Sequence, residues 1–369
     1  MHFVIHYAGE IGSKGQNRNF FSKKLKDNIR SAFRREDYDS IKSENSRIII
    51  TVNKNAEKIT EKIQMIAGIG FFGIADFAKN NITDIKSVVE KNHPGKYNIK
   101  IFLSNKQSGI VFQELKDSLS NHYDIHSPEL NIEILDSGAY VYDKKIDGMG
   151  GLPVGCTGKL ISLLSGGIDS PVASWKMYRR GCSVSFVHFY NPTTNKASVK
   201  QKIFDLVQIL SKYQFKTKLF IVKFDDVQRQ IIASVPADVR MIVYRRFMFR
   251  IAQKIAESEK ALGFVTGDSL SQVASQTLEN IGVIYEAAKI PVFAPLIGED
   301  KDAIIALAKK IGTYSTSIQP YDDCCSFFVA EHPKTKSTIA EILAVEKKMD
   351  VKALVNMALV DVEVKTIVG

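Results

Sequence analysis

Ser165-Gly166-Gly167-Ile168-Asp169-Ser170 is the stretch whose residue types and spacing are best suited to chemistry. It follows an apolar run ending in Leu163-Leu164 and precedes Pro171, so it reads as a strand that ends in a glycine pair and opens a helix. There the glycines let backbone amides approach an anion, and the Ser165 and Ser170 hydroxyls add donors. Ser170 is expected to cap the helix with Pro171 at its first position, which aims the helix N-terminus at the same anion. Asp169 would repel phosphate by itself and is assigned to a magnesium ion or to a substrate hydrogen bond. The pattern matches neither GxxxxGK[ST] nor GxGxxG, which argues against a Walker NTPase and a dinucleotide dehydrogenase. The alternative is a plain strand-to-helix turn, since Ser, Gly and Asp are common turn residues.

Cys324 and Cys325 carry a second chemical idea. A thiolate is a soft nucleophile that can hold another sulfur as a persulfide. Asp322, Asp323 and Ser326 around the pair suggest a polar loop, against the usual fate of free cysteines as small buried apolar residues. Cys156 and Cys182 are assigned no chemistry, and the absence of any CxxC pair makes a structural zinc or an iron–sulfur cluster improbable.

Three segments must position these groups. Residues 1–60 read as strand (Phe3–Tyr7), helix (Asn19–Arg34), strand (Arg47–Val52) and the start of a helix over Ala56–Met65. Residues 61–147 alternate helix (Ile82–Lys91), strand (Tyr97–Leu103), helix (Phe112–Tyr123) and strand (Asn131–Tyr142). The glycine-rich run Gly148–Gly155 breaks the periodicity and marks the main boundary. In residues 148–369, strands over Leu160–Leu164, Val184–Phe189, Lys218–Phe224, Gly263–Thr266 and Pro291–Pro295 alternate with helices over Pro171–Arg180, Val199–Lys212, Met241–Lys260 and Asp302–Ile311. That alternation predicts an α/β fold with a doubly wound, mostly parallel sheet.

SGGxDS after a strand resembles the pyrophosphate loop of the ATP pyrophosphatases. Together with GGLPVG (Gly150–Gly155), LLSGGIDSPVA (Leu163–Ala173), TGDSLSQVASQTLENI (Thr266–Ile281), the Asp300-Lys301 pair, PYDDCCSFF (Pro320–Phe328) and GEIGSKGQNRNFF (Gly9–Phe21), it is similar to the tRNA 4-thiouridine synthase, or tRNA sulfurtransferase, family. The resemblance spans nearly the whole chain. It implies a ferredoxin-like domain (1–60), a THUMP RNA-binding domain (61–147) and an adenine-nucleotide α-hydrolase-like ATP-pyrophosphatase domain (148–369). It also implies an ATP site made of Leu163, Leu164, the Ser165–Ser170 loop with Gly166, Gly167 and Asp169, His188, Phe189, Arg245, Gly267 and Gln276. From residue type alone, His188 and Phe189 are more often core than cofactor contacts, Gly267 and Gln276 could instead be loop or helix-cap features, and Arg245 a structural ion pair. Further implications are a catalytic Lys301 that stabilises developing charge, and a persulfide on Cys325 with Cys324 or an external thiol supplying the second sulfur. The implied reaction converts uridine at position eight of tRNA to 4-thiouridine with ATP and magnesium. The implied partners are tRNA, a cysteine desulfurase as sulfur donor and a second copy in a homodimer. Another ATP pyrophosphatase, or a non-catalytic RNA-binding protein, is the alternative. No stretch after Asp350 has the length or the cysteine of the rhodanese domain some members carry, so a short form is expected, without rhodanese-dependent thiazole synthesis.

Composition agrees with an anionic partner. Fifty basic and 40 acidic residues leave a net charge of +10. Residues 1–60 hold 12 basic and 7 acidic side chains, whereas 61–150 hold 10 and 12, so the middle contributes no excess positive charge. Lys14, Arg18, Lys23, Lys24 and Lys26 cluster near the first helix as candidate phosphate contacts or as a solvated face. Asn98–Phe112 is poor in arginine for an RNA-binding segment. The longest charge-free stretch, Gly181–Asn195, is too short and polar to span a membrane, and MHFVIHYAGE lacks the features of a secretory signal, so a cytoplasmic location is expected.

Overall fold

Phe3, Val4 and Ile5 are all fully buried, which only a strand covered on both faces allows. They lie in β1 (His2–Tyr7), inside a sheet ordered Ser40–Glu44, Arg47–Thr51, β1, Ile69–Ala78, Gly138–Tyr142, Glu129–Leu135 and Asn98–Leu103. The computed structural model describes residues 1–52, 56–104, 112–192, 197–320 and 330–369. These fall into two units, Met1–Cys156 and Thr157–Gly369.

In the first unit β1 leads through the short α1 (Gly9–Gly12) and α2 (Arg18–Ala32) to β2 (Ser40–Glu44), β3 (Arg47–Thr51) and α3 (Ala56–Gln64). Then follow β4 (Ile69–Ala78), α4 (Ile82–Asn92), β5 (Asn98–Leu103), α5 (Phe112–Ser118), β6 (Glu129–Leu135), β7 (Gly138–Tyr142) and the two-residue β8 (Ile146–Asp147). β4 is the spine: its first part pairs with β1 and its last three residues pair with β7. A Cβ at Gly73, midway along β4, would overlap the Tyr142 ring, so glycine is what lets the two halves close on each other there. Val4, Ile49 and Ala75 then form one apolar cluster with Leu135, Tyr140 and Tyr142.

Glu133 is the polar member of that closure and is only 3% exposed. It accepts from Arg47 Nε at 2.8 Å and from the Tyr142 hydroxyl at 2.5 Å, and pairs with His6 Nε2 at 2.7 Å. Burial by itself would raise its carboxyl, but the hydrogen bond and charge of His6, the Tyr142 hydroxyl and Arg47 hold it down at about 2, against an ordinary 4.5. A depressed native value stabilises the fold above the unfolded pKa, and the contribution disappears as pH falls from 4.5 toward 2. A shift of this size corresponds to roughly 3 kcal/mol. Urea denaturation at pH 5.5 and pH 2.5 is expected to show this acid sensitivity in the native chain. Glu133→Gln should lose most of it, and an equal pH dependence in both proteins would rule Glu133 out as its source.

The second unit runs β9 (Gly158–Leu163), α6 (Asp169–Arg179), β10 (Cys182–Tyr190), α7 (Ala197–Ser211), β11 (Lys216–Lys223), α8 (Asp225–Ser234) and α9 (Arg240–Glu259). It continues through β12 (Phe264–Val265), α10 (Leu278–Tyr285), β13 (Val292–Phe293), α11 (Lys301–Lys310), α12 (Tyr314–Ser317), α13 (Ile339–Glu346), α14 (Val351–Ala358) and β14 (Glu363–Val368). The strand order is β13-β12-β9-β10-β11-β14, parallel except for β14, which runs antiparallel to β11. α9 buries Ile242, Val243, Tyr244, Phe247, Phe249, Ile251 and Ile255 against this sheet, each worth about 1.5–3 kcal/mol of transfer free energy. The chain moves from β9 to β10 and β11 on one side, then returns to place β12 on the other. In such sheets the ligand crevice opens at this switch, beyond the carboxyl end of β9.

The α/β class and the mostly parallel sheet are as the sequence implies, with three local corrections. The strand expected over Asn131–Tyr142 is the hairpin β6–β7, turned at Asp136-Ser137, and Gly138 is needed because a Cβ there would overlap Phe77. The helix expected over Phe112–Tyr123 stops at Ser118 and gives way to a 3-10 turn at Ser120–His122. β2, β4, β8, β14, α1, α8, α10, α12, α13 and α14 have no counterpart in the sequence reading.

Candidate active site

β9 gives way to the Ser165–Ile168 loop, and α6 begins at Asp169, two residues earlier than Ser170 capping requires. Ser170 therefore does not cap the helix. Its Oγ accepts from the Ser165 amide at 3.0 Å and meets Ser165 Oγ at 3.1 Å, closing the loop on itself. His188, at the end of β10, donates through Nδ1 to the Leu164 carbonyl at 2.9 Å and braces the loop from the neighbouring strand. A Cβ on Gly267 would lie 2.6 Å from the Ser170 amide nitrogen. The close approach expected of Gly267 is thus made to the loop itself.

Gly167 differs. Its backbone is not left-handed, and a Cβ there would meet only Ser165 Oγ, at an ordinary 3.5 Å. Neither conformation nor packing demands glycine, which leaves room for a ligand as the reason. Gly167→Ala is expected to keep its melting temperature within about 2 °C while weakening nucleotide binding roughly tenfold or more. Isothermal titration with a non-hydrolysable ATP analogue checks this, and unchanged affinity would remove the loop from anion binding.

Leu163, Leu164, Ser165, Asp169, Ser170, His188, Phe189, Arg245, Gly267 and Gln276 all line one cavity of about 600 Å³ at the carboxyl ends of β9, β10 and β12. Met241, Ile242 and Met248 complete an apolar wall beside Phe189. Asp268, absent from the sequence expectation, is a buried hub of the cavity lining. It accepts from Arg245 at 2.9 and 2.6 Å, from Gln276 Nε2 at 3.0 Å and from the Tyr285 hydroxyl at 2.7 Å. Burial would raise its carboxyl, but the Arg245 charge and these hydrogen bonds outweigh it and keep it below the usual range. Its place directly after Gly267, at a strand end, was the available sequence signal.

At the cavity mouth Asp169 Oδ1 receives Lys301 Nζ at 2.6 Å and Oδ2 receives Gln272 Nε2 at 3.1 Å. Lys301 opens α11 behind the N-cap Asp300, and the loop before it is held by Lys176, which reaches Glu299 and the Pro295 carbonyl. A cation beside a phosphate-sized loop can offset charge that develops during phosphoryl or adenylyl transfer.

Cys324 and Cys325 lie outside the described residues. The chain leading to them is anchored by Lys202, which is 3% exposed and donates to the carbonyls of Ser317 and Gln319 at 2.9 and 2.8 Å. Cys182 is buried, and that burial pushes its thiol above the ordinary range, consistent with an inert role. Among the described residues no cluster of three or more His, Cys, Asp or Glu could hold a metal ion, and no helix is long and apolar enough to cross a membrane.

Residues 155–351 match the family model described as thiamine biosynthesis protein (ThiI), and residues 2–73 match the ThiI ferredoxin-like domain. The chain is 40% identical over 370 residues to a probable tRNA sulfurtransferase of Caldanaerobacter subterraneus subsp. tengcongensis, covering 96% of each protein. It is 38% identical to a probable tRNA sulfurtransferase of Moorella thermoacetica, covering 99% of this chain and 97% of that one. Among solved structures, a 4-thiouridine synthetase in complex with RNA and bound ATP superposes with a TM-score of 0.89 at 33% identity, over 99% of both chains.

Proposed function

Because the chain belongs to the tRNA sulfurtransferase family, we propose that its cavity binds ATP and uses it to activate O4 of uridine eight in tRNA for replacement by sulfur. The observation that carries this reading is the Asp169–Lys301 pair set at the mouth of an apolar cavity, beside a loop built to receive phosphate. Phe189 and the methionine-rich face of α9 suit the adenine, and the Ser165–Ser170 loop with the N-terminus of α6 suits the phosphates. Asp169 fits a magnesium ion shared with those phosphates, since such ions need only one or two carboxylates and keep several waters. When bound, the ion would neutralise phosphate charge.

Attack by O4 on the α-phosphorus forms an O–P bond and expels pyrophosphate. Lys301, released toward the reacting groups, offsets the negative charge that accumulates. The outer sulfur of a persulfide on Cys325 then attacks C4, and AMP departs with the former O4 oxygen. A second thiol, Cys324 or an external one, attacks the Cys325 sulfur, frees 4-thiouridine and leaves a disulfide for a reductant to reset. The target base must be unstacked to be reached. Residues 1–147 would hold the tRNA by shape and phosphate contacts, with Lys14, Arg18, Lys23, Lys24 and Lys26 as the basic patch. A cysteine desulfurase would load the persulfide, and a homodimer is the expected assembly.

Nucleoside mass spectrometry of tRNA from a deletion strain, with and without this chain restored, tests the reaction; absence of 4-thiouridine in both would overturn it. Single turnover of persulfide-loaded protein tests the thiols. Cys325→Ser is expected to fail at once, whereas Cys324→Ser completes one turnover and stalls without reductant. The reverse result exchanges the roles, and full multiple turnover in both variants removes the pair from the chemistry.

A further inference from the structure

Asn280, in the first turn of α10, is fully buried and uses its whole side chain on backbone from two different segments. Its Nδ2 donates to the Ala274 carbonyl at 2.7 Å and to the Lys334 carbonyl at 2.9 Å, and its Oδ1 accepts from the Ser337 amide at 3.0 Å. Ala274 belongs to the cavity wall that carries Gln276. Pro333 and Lys334 line the same cavity and belong to the limb that returns from the segment bearing Cys324 and Cys325. Thr277 adds a parallel tie: its hydroxyl donates to the Thr335 carbonyl at 2.7 Å and accepts the Asn280 amide at 3.3 Å as the cap of α10.

A buried amide can satisfy its bonding capacity within one helix or loop, so its use as a bridge needs a separate reason. Here Asn280, with Thr277 beside it and the Lys334 amide bonded to the Asp238 carbonyl, fixes the spacing between the wall that would hold the nucleotide and the limb on which the sulfur-bearing segment returns. We infer that Asn280 is a positioning residue that couples activation of the uridine to its capture by sulfur. This inference rests on the sulfur role proposed for the cysteine pair. A misplacement of about 1 Å between reacting groups costs up to 10²-fold in rate. If the return limb loosens, the adenylated base waits for sulfur and water attacks it instead. That hydrolysis breaks the bond between AMP and the base, returns uridine and releases AMP with no sulfur transferred.

The test is the ratio of 4-thiouridine formed to AMP released, measured on the full chain with tRNA, ATP, a desulfurase and cysteine. A merely structural role lowers both products together and leaves the ratio alone. Asn280→Asp is expected to lower the ratio about tenfold, because a carboxylate cannot donate to either carbonyl. In case that variant does not fold, Thr277→Val removes the parallel tie near the surface and is expected to lower the ratio about threefold, with Thr277→Ser retaining it. An unchanged ratio in a folded Asn280→Asp or Thr277→Val protein, with both products falling in step, would overturn the inference. Cys324→Ser and Cys325→Ser run alongside separate the two ideas. If both cysteine variants keep the native ratio, the sulfur reading fails; if they lose it while Asn280→Asp keeps it, only the role of Asn280 fails.

Discussion

Asp169→Ala is expected to lower thiolation by roughly 10²- to 10³-fold while tRNA affinity stays within about twofold. The residue opens α6 directly after the Ser165–Ile168 loop, and its carboxylate holds Lys301 and Gln272 in place at the cavity mouth. Removing it takes away the proposed metal contact and also strands the lysine. Lys301→Ala should therefore cost about as much, and the double variant little more than either, since groups that act as a unit are grossly non-additive. Rates from saturating-ATP assays, paired with tRNA binding by filter retention, decide the matter. Additive losses would mean that the two residues serve separate steps, and near-normal turnover in Asp169→Ala would remove the loop from catalysis.

Glu346→Ala is expected to destabilise the unit formed by residues 157–369 by about 3–5 kcal/mol. Glu346 is 3% exposed and Arg246 1%, and they meet at 2.9 and 3.2 Å, while Arg250 forks onto the same carboxylate with two bonds of 2.7 Å. Burial would raise the Glu346 carboxyl, but hydrogen bonds and charge from Arg250 and Arg246 hold it below the usual range. Without it, the partners that Arg246 keeps among the described residues are Glu286 and the Val283 carbonyl. Denaturant unfolding measures the cost, and a loss below about 1 kcal/mol would show that the pair is compensated elsewhere. Because Arg246 is not among the residues lining the cavity, the folded fraction should keep its KM for ATP. A KM shift as large as the loss of stability would point instead to Arg245, its neighbour on α9.

The Ser165–Ser170 loop was legible because its signals are local. A strand end, two glycines, an acidic residue and Pro171 lie within nine residues, and steric and capping preferences act over that range. The same locality misled at Ser170, where starting α6 two residues earlier turned a cap into a brace for the loop. β4 escaped notice because its ten residues, buried on changing faces and broken by Gly70 and Gly73, show neither a helical nor a strand period. β14 escaped because its exposed outer edge leaves only Ile367 well buried to mark it.

Residue types and spacing by themselves determined the class of the fold and the loop at the end of β9, since each depends on neighbours along the chain. Only the tertiary structure decided the partners: Lys301 for Asp169 across 132 residues, Glu133 for His6 across 127, Glu346 for Arg246 across 100, and Asp268 as the hub behind Arg245 and Gln276. Charge type shows that a lysine can pair with an aspartate but not with which one. That choice is made by the tertiary fold: the return from β11 to β12 carries α9, and the run after β13 into α11 brings Lys301 to the start of α6, while burial makes the Glu133 and Glu346 pairs too costly to exchange.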